Sequence, residues 1–182
     1  LDMSGFKGLD TLKDDTFAGL DKLTILYLSK SQIKALEQNA FRGLSALYEL
    51  TLCLKNFTQL RSNVFRGLAN LNRLSLQGSE IGTLNNDTFN MGLFKLEWLD
   101  LSYVKVKKIE SEAFSSLTQL TEIVWYKSSI ETVEYYAFSC LSNLTTRIDL
   151  SFAEIGTLSD YSFADLQHVR QLLLVNTTIK NI

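Results

Sequence analysis

His168 is the only histidine in the chain, and Cys53 and Cys140 are the only cysteines. A thiolate activated by an imidazole is the one nucleophile–base pairing these residue types allow. No G-x-S-x-G elbow precedes His168. No C-x-x-C pair, Gly-rich phosphate loop or cluster of metal-ligand spacing is present either. Whether Cys53, Cys140 and His168 can meet depends on the elements that carry them.

Those elements repeat. Leu23, Leu47, Leu71, Leu96, Leu120, Leu144 and Val169 follow one another at intervals of 24, 24, 25, 24, 24 and 25 residues. Phe17, Phe41, Phe65, Phe89, Phe114, Phe138 and Phe163 keep the same step. Two residue sets locked to one period mark a stacked repeat array. Each unit opens with a period-two stretch, such as Leu26 and Leu28 or Leu99 and Leu101, which predicts a short strand. Ile33, Phe57, Ile81, Val106, Ile130, Ile155 and Ile179 then close the turn inward, and a second half with Phe and Leu returns the chain to the next strand. One unit cannot bury its own apolar side, so neighbours must stack into a solenoid with a parallel sheet along one face. Cys53 then stands three units from Cys140 and five from His168, far beyond contact. The chain is expected to be no enzyme and to need no cofactor or metal.

Two inner units are one residue longer than the rest. One insertion lies in Phe89–Leu93; the other lies in Leu144–Ile148, where a bulge is expected at the strand start.

The unit L-x-x-L-x-L-x-x-(N)-x-I-x-x-L-x-x-x-x-F-x-x-L resembles the leucine-rich repeat, and the A-F-R-G-L, V-F-R-G-L, T-F-A-G-L and A-F-S-S-L pieces are similar to those of Toll-like receptors, Slit-type proteins and related ectodomains. The resemblance implies an α/β solenoid: a horseshoe of about 7–8 repeats, with a concave parallel β-sheet and a convex side of loops and short helical turns. It covers residues 1–182 as a single domain. No cysteine cap stands at either end, and the chain reads as a piece of a longer one. The family's asparagine ladder is missing throughout. Its matching positions hold Ser4, Ser31, Lys55, Ser79, Val104, Ser128, Ala153 and Thr177. Hydroxyls can partly replace the amide, whereas valine and alanine cannot. Glycoprotein-hormone receptor ectodomains also thin this ladder.

Recognition by such a solenoid falls to the strand residues that face away from the core. Among these, Trp98, Tyr103, Tyr126 and Phe152 lie in three consecutive repeats, with Asp100, Glu122, Arg147 and Asp149 around them. Large aromatics ringed by charge suit a protein-binding hot spot. Trp125 occupies a leucine position and is expected in the core. Lys105, Lys107, Lys108 and Lys127 form a second candidate on the turn after the strand, suited to an anionic glycan or acidic partner.

Four N-x-S/T sequons begin at Asn56, Asn86, Asn143 and Asn176. With the resemblance they favour a secreted or cell-surface glycoprotein. The two thiols argue for the alternative, a cytoplasmic protein. The balance of 18 basic against 20 acidic side chains, a net charge of -2, gives no overall field for nucleic acid, and no apolar run is long enough to cross or enter a membrane. The expected function is non-catalytic: a receptor or cell-surface recognition protein that binds a protein or glycoprotein partner through its concave face. The alternative is a structural or matrix protein whose repeats self-associate into fibres.

Overall fold

The computed structural model describes residues 1–90, 92–139, 141 and 147–182. The chain winds as a coil in which each strand pairs with its counterpart one repeat away. Seven strands form one parallel sheet: β2 (Ile25–Ile33), β4 (Glu49–Leu54), β6 (Arg73–Ser75), β8 (Trp98–Asp100), β10 (Glu122–Val124), β12 (Arg147–Asp149) and β14 (Gln171–Leu173). Leucines alternate inward along them, so Leu26, Leu28, Leu50, Leu52, Leu74, Leu76, Leu99 and Leu101 are all buried. Trp125 takes the same place in its coil and is fully buried against Phe114, 6.2 Å away and edge-on.

A second parallel sheet, absent from the sequence expectation, runs down the flank. It holds β5 (Phe57–Gln59), β7 (Glu80–Leu84), β9 (Lys105–Ile109), β11 (Ser129–Val133), β13 (Glu154–Leu158) and β15 (Thr178–Asn181). A two-stranded piece, β1 (Thr11–Leu12) with β3 (Ala35–Leu36), continues it toward the start of the chain. The inward residues here fall three apart, as in Ile81 and Leu84 or Ile130 and Val133, rather than two apart. That spacing hides a strand from a period-two search. The β-branched residues at these positions favour extended backbone.

The expected short helical turns are scarce: among the described residues no α-helix occurs, and a 3-10 turn stands at Ser139 and Leu141. The convex side is a chain of separate turns closed by i to i+3 bonds, as from Ala18 N–H to the Asp15 carbonyl at 3.0 Å and from Leu20 N–H to the Phe17 carbonyl at 3.2 Å. The reason lies in the backbone. A left-handed residue stands two before the phenylalanine in several coils (Asp15, Asn63, Glu112, Tyr136 and Tyr161, with φ from 54° to 67°). A right-handed helix cannot propagate through such a residue.

The phenylalanines stack along the convex core with ring centroids 6.3 Å apart at Phe17–Phe41 and 5.1 Å apart at Phe138–Phe163. Paired strands lie about 4.8 Å apart. The outside of the stack is therefore longer than the inside, and the coil bends toward the seven-stranded sheet. Ring spacing shortens along the chain, so the bend is stronger in the early coils.

The asparagine-ladder positions are filled by hydroxyls in alternate coils. Ser31, Ser128 and Thr177 donate to the carbonyls of Met3, Leu101 and Leu150 in the preceding coil, at 3.1, 2.7 and 2.7 Å. Ser79 instead accepts the Leu54 N–H at 2.9 Å, and the Lys55 ammonium reaches the Gly78 carbonyl at 3.0 Å. Val104 and Ala153 are buried and make no such bond. In the first coil the ladder position is Phe6 rather than Ser4. Gly5 N–H donates to the Ser29 carbonyl as Lys127 N–H does to that of Ser151, which places Ser4 on the concave face beside Ser29.

Candidate binding face

The register of the seven-stranded sheet fixes which concave residues are neighbours. Arg73, Trp98, Glu122 and Arg147 lie side by side in one row, and Ser75, Asp100, Val124 and Asp149 in the next. Trp98 is half-buried, and the Arg73 guanidinium lies over its ring at 4.2 Å. Arg147 joins the two rows: it donates to Glu122 at 2.7 Å and to Asp149 at 2.8 Å.

Asp100 and Asp149 do more for the backbone than for the surface. Each is largely buried, and each accepts an N–H two residues on: Ser102 at 2.8 Å and Ser151 at 2.9 Å. Asp2 does the same with Ser4 at 2.8 Å. These Asx turns end the strand and start the corner. Asp100 also accepts from the Ser75 hydroxyl at 3.3 Å.

At the corner three rings meet. Tyr103 and Tyr126 pack edge-to-face at 5.9 Å, and Tyr126 and Phe152 do so at 5.4 Å. Tyr103 is 49% exposed and Phe152 41%. The Lys127 ammonium sits 5.3 Å from the Tyr126 ring centre and 5.9 Å from that of Phe152. Tyr103, Lys127 and Phe152 all have positive φ, 58°, 54° and 61°, as do Gly78 and Asn176 at the same corner of the flanking coils. Bulky residues are strained there. The corner therefore tolerates a backbone cost to display these side chains.

The structure thus joins Tyr103, Tyr126 and Phe152. Trp98 lies at the start of its strand, in a row four residues before that of Tyr126, and is covered by Arg73 instead. Its partner Arg73 was not singled out by composition or motif; the strand register alone identifies it.

The lysine candidate is dispersed. Lys105 lies 3.9 Å from Glu80, and Lys108 lies 2.7 Å from Glu134 and 3.5 Å from Glu110. Its hydrogen bond to Glu134 raises the Lys108 pKa above the ordinary lysine value. Lys105 and Lys107 border a shallow groove of about 450 Å³ on the second sheet, which Asn56, Glu80, Gly82 and Glu131 also line.

Asn56, Asn86 and Asn176 are exposed, while Asn143 lies outside the described residues. Thr88 of the second sequon is buried, and its hydroxyl accepts the Asn85 N–H at 2.9 Å. Cys53 is a free thiol, buried with its sulfur 3.7 Å from the Gly78 carbonyl oxygen, and burial pushes its pKa up. Cys140 lies outside the described residues, as do residues 144–146 of the stretch Leu144–Ile148 where a bulge is expected.

Comparison with known proteins is consistent with this geometry. The model of the leucine rich repeat family matches residues 5–52 and 45–103, and that of the BspA type leucine rich repeat region matches residues 82–182. No curated protein matches the chain. Among solved structures, the crystal structure of a TLR13–ssRNA13 complex is similar at 28% identity with a TM-score of 0.81, over 93% of this chain and 24% of that one. The present chain thus spans about a quarter of its length. Internalin C2 of Listeria monocytogenes shares the fold at 21% identity and a TM-score of 0.60, over 88% of this chain and 65% of that one. With both family models together spanning nearly every coil, the chain belongs to the leucine-rich repeat family.

Proposed function

We propose that the chain is a non-catalytic recognition module that holds a protein or glycoprotein partner on its concave face, within a receptor or a cell-surface or secreted protein. The observation that carries this reading is the Tyr103–Tyr126–Phe152 corner, where Tyr103 and Phe152 expose their rings from backbone positions that suit glycine or asparagine. Aromatic side chains give large contact area at small entropic cost. The parallel sheet holds them in place, so little ordering remains to be done on binding. Arg147, Glu122 and Trp98 lie beyond this corner as a fixed surface that sets orientation, and the buried Asp100 and Asp149 hold the strand ends that carry it.

The TLR13 neighbour is in complex with single-stranded RNA. On the concave face of the present chain Arg147 is paired with Glu122 and Asp149, and the Arg73 guanidinium is stacked on Trp98. A polyanion gains little from positive charges already neutralised. This balance favours a protein surface over nucleic acid. The exposed sequons at Asn56, Asn86 and Asn176 support an extracellular setting.

A photo-crosslinking amino acid placed at position 126 tests the reading. In the native setting it should yield one discrete protein adduct, which the same probe at exposed Arg42, beside Phe41 on the convex side, should not. Identical adduct patterns at both positions would overturn the concave assignment. A mobility shift on N-glycosidase treatment tests the compartment, and its absence in material from the native source would remove the extracellular reading.

A further inference from the structure

A second aromatic surface lies on the opposite side of the coil. Tyr135, Tyr136 and Tyr161 are 57%, 39% and 69% exposed. Tyr135 meets Tyr136 edge-to-face at 5.9 Å, and Tyr136 stacks on Tyr161 at 6.0 Å with the planes 12° apart. The rings thus continue from one coil to the next. The backbone ties the same coils together: Tyr136 N–H donates to the Tyr161 carbonyl at 3.2 Å, and Glu112 N–H to that of Tyr136 at 3.3 Å.

Tyr136 and Tyr161 are left-handed, at φ of 54° and 57°. Earlier coils place Asp15 and Asn63 at this point, residues that accept such a backbone readily. Tyrosine there is a strained choice that leaves its ring in solvent. Neither the hydrophobic core nor the convex phenylalanine stack uses these rings.

The charge around them is acidic. Glu110 and Glu112 stand on the coil before the tyrosines, where Glu112 N–H meets the Tyr136 carbonyl; Glu134 precedes Tyr135, and Asp160 precedes Tyr161. Ser111 binds this edge twice, through its N–H to Glu134 at 3.3 Å and its hydroxyl to the Tyr135 carbonyl at 2.9 Å. Lys108 at this edge is already paired with Glu110 and Glu134. The face thus combines electron-rich ring faces with carboxylates that remain in surplus.

We propose that this convex tyrosine face docks an arginine-rich segment of a partner protein. A guanidinium is planar, is weakly hydrated, stacks on aromatic faces and forms paired hydrogen bonds to carboxylates. It is the side chain that matches both features at once. A lysine ammonium would gain the charge term but less of the stacking. The site is independent of the concave corner, which lies on the other side of the core.

The test uses a fluorescein-labelled hexa-arginine peptide, with hexa-lysine beside it, followed by fluorescence polarisation. The wild-type chain should bind hexa-arginine saturably and more tightly than hexa-lysine. A triple variant, Tyr135→Asn, Tyr136→Asn and Tyr161→Asn, keeps residues suited to the left-handed turn and should retain the native circular dichroism spectrum. Its affinity for hexa-arginine should fall about tenfold or more, the scale expected from losing several stacking contacts. Tyr126→Ala, at the concave corner, should bind the peptide as wild type does, so loss of the concave reading would leave this one standing. Equal affinity of the triple variant and wild type would overturn the proposal, because bulk acidity alone would then explain the binding. Equal affinity for both peptides would do the same. Light scattering provides a further check: a wild-type dimer that the triple variant abolishes would show that a second copy of the chain, not a cationic segment, covers the tyrosines.

Discussion

Tyr103 stands in the backbone position that Gly78 holds one coil earlier. Both are left-handed, at φ of 58° and 72°, and both donate their N–H to a concave-row carbonyl of the following coil, Tyr126 and Ser102 respectively. The corner is thus one conformation met by two residue types, one at ease in it and one strained. Tyr103→Gly should relieve a left-handed cost of roughly 1–2 kcal/mol while losing a ring contact worth about 0.5–1.5 kcal/mol. Stability in urea should therefore change little although a large side chain is removed. Gly78→Ala has open space for its methyl. It should lose only the backbone term, about 1 kcal/mol. A neutral Gly78→Ala would contradict the left-handed corner.

The ladder of hydroxyls makes a second prediction. Ser128 donates to the Leu101 carbonyl at 2.7 Å in a buried setting. Ser128→Ala leaves that acceptor short of a partner and should cost about 1–2 kcal/mol. Ala153 occupies the same place in the next coil without making the bond. Ala153→Ser supplies a donor toward the Trp125 carbonyl and should be neutral or stabilising by up to about 1 kcal/mol. Thermal melting of the two variants should move in opposite directions or not at all for Ala153→Ser; equal losses would show that the hydroxyl is not what the position rewards.

The repeat itself was legible because a solenoid folds by neighbour contacts alone, so a fixed step in leucine and phenylalanine already places Leu74 beside Leu99 and Phe65 beside Phe89. The second sheet was not legible. Ile81 and Leu84 are spaced by three, and only pairing with Val106 and Ile109 holds them as a strand. The convex helical turns failed for a related reason. Asp15 and Asn63 suit a positive φ, but Glu112, Tyr136 and Tyr161 at the same place do not announce one. At the concave face both the coil and the row of each aromatic could be read, but not which side chains would meet. Trp98 and Tyr126 stand one coil apart in sequence order, yet Trp98 takes Arg73 as its ring partner and Tyr126 takes Tyr103 and Phe152. Asp100 and Asp149 looked like surface charge. Their Asx bonds to Ser102 and Ser151 depend on a turn that only the folded corner supplies.

Gly82 makes a third prediction, of the opposite kind from Gly78. A side-chain carbon added at Gly82 would strike the Thr58 carbonyl oxygen of the adjacent strand. That atom is backbone within paired strands, Phe57 with Ile81 and Gln59 with Thr83, so it has little room to yield. Gly82→Ala should cost more than about 2 kcal/mol through overpacking. Lys107, the next residue along this row, carries its side chain without difficulty, and Lys107→Ala should fall within about 0.5 kcal/mol of wild type. Denaturant midpoints for the pair give the comparison. A mild Gly82→Ala would mean that the strands separate locally at little cost.

The start of the chain offers a pH-dependent test. Asn39 donates to Asp14 twice, through its N–H at 2.8 Å and its amide at 3.0 Å, and these bonds hold the Asp14 carboxyl below the ordinary aspartate value. The sign follows from the lowered folded-state pKa. The unfolded chain takes up its proton first as the medium is acidified, so the ionised carboxylate stabilises the fold above the ordinary aspartate value, about 3.9. That contribution is lost as pH falls through the lower, folded value. Asp14→Asn keeps one acceptor oxygen but cannot titrate. The stability difference between wild type and Asp14→Asn should thus be largest near neutrality and shrink as the pH drops below about 4. The chain's remaining carboxylates are common to both proteins and cancel. A gap that stays constant from neutral to acid pH would show that the Asn39 bonds do not favour the charged form, whatever their length.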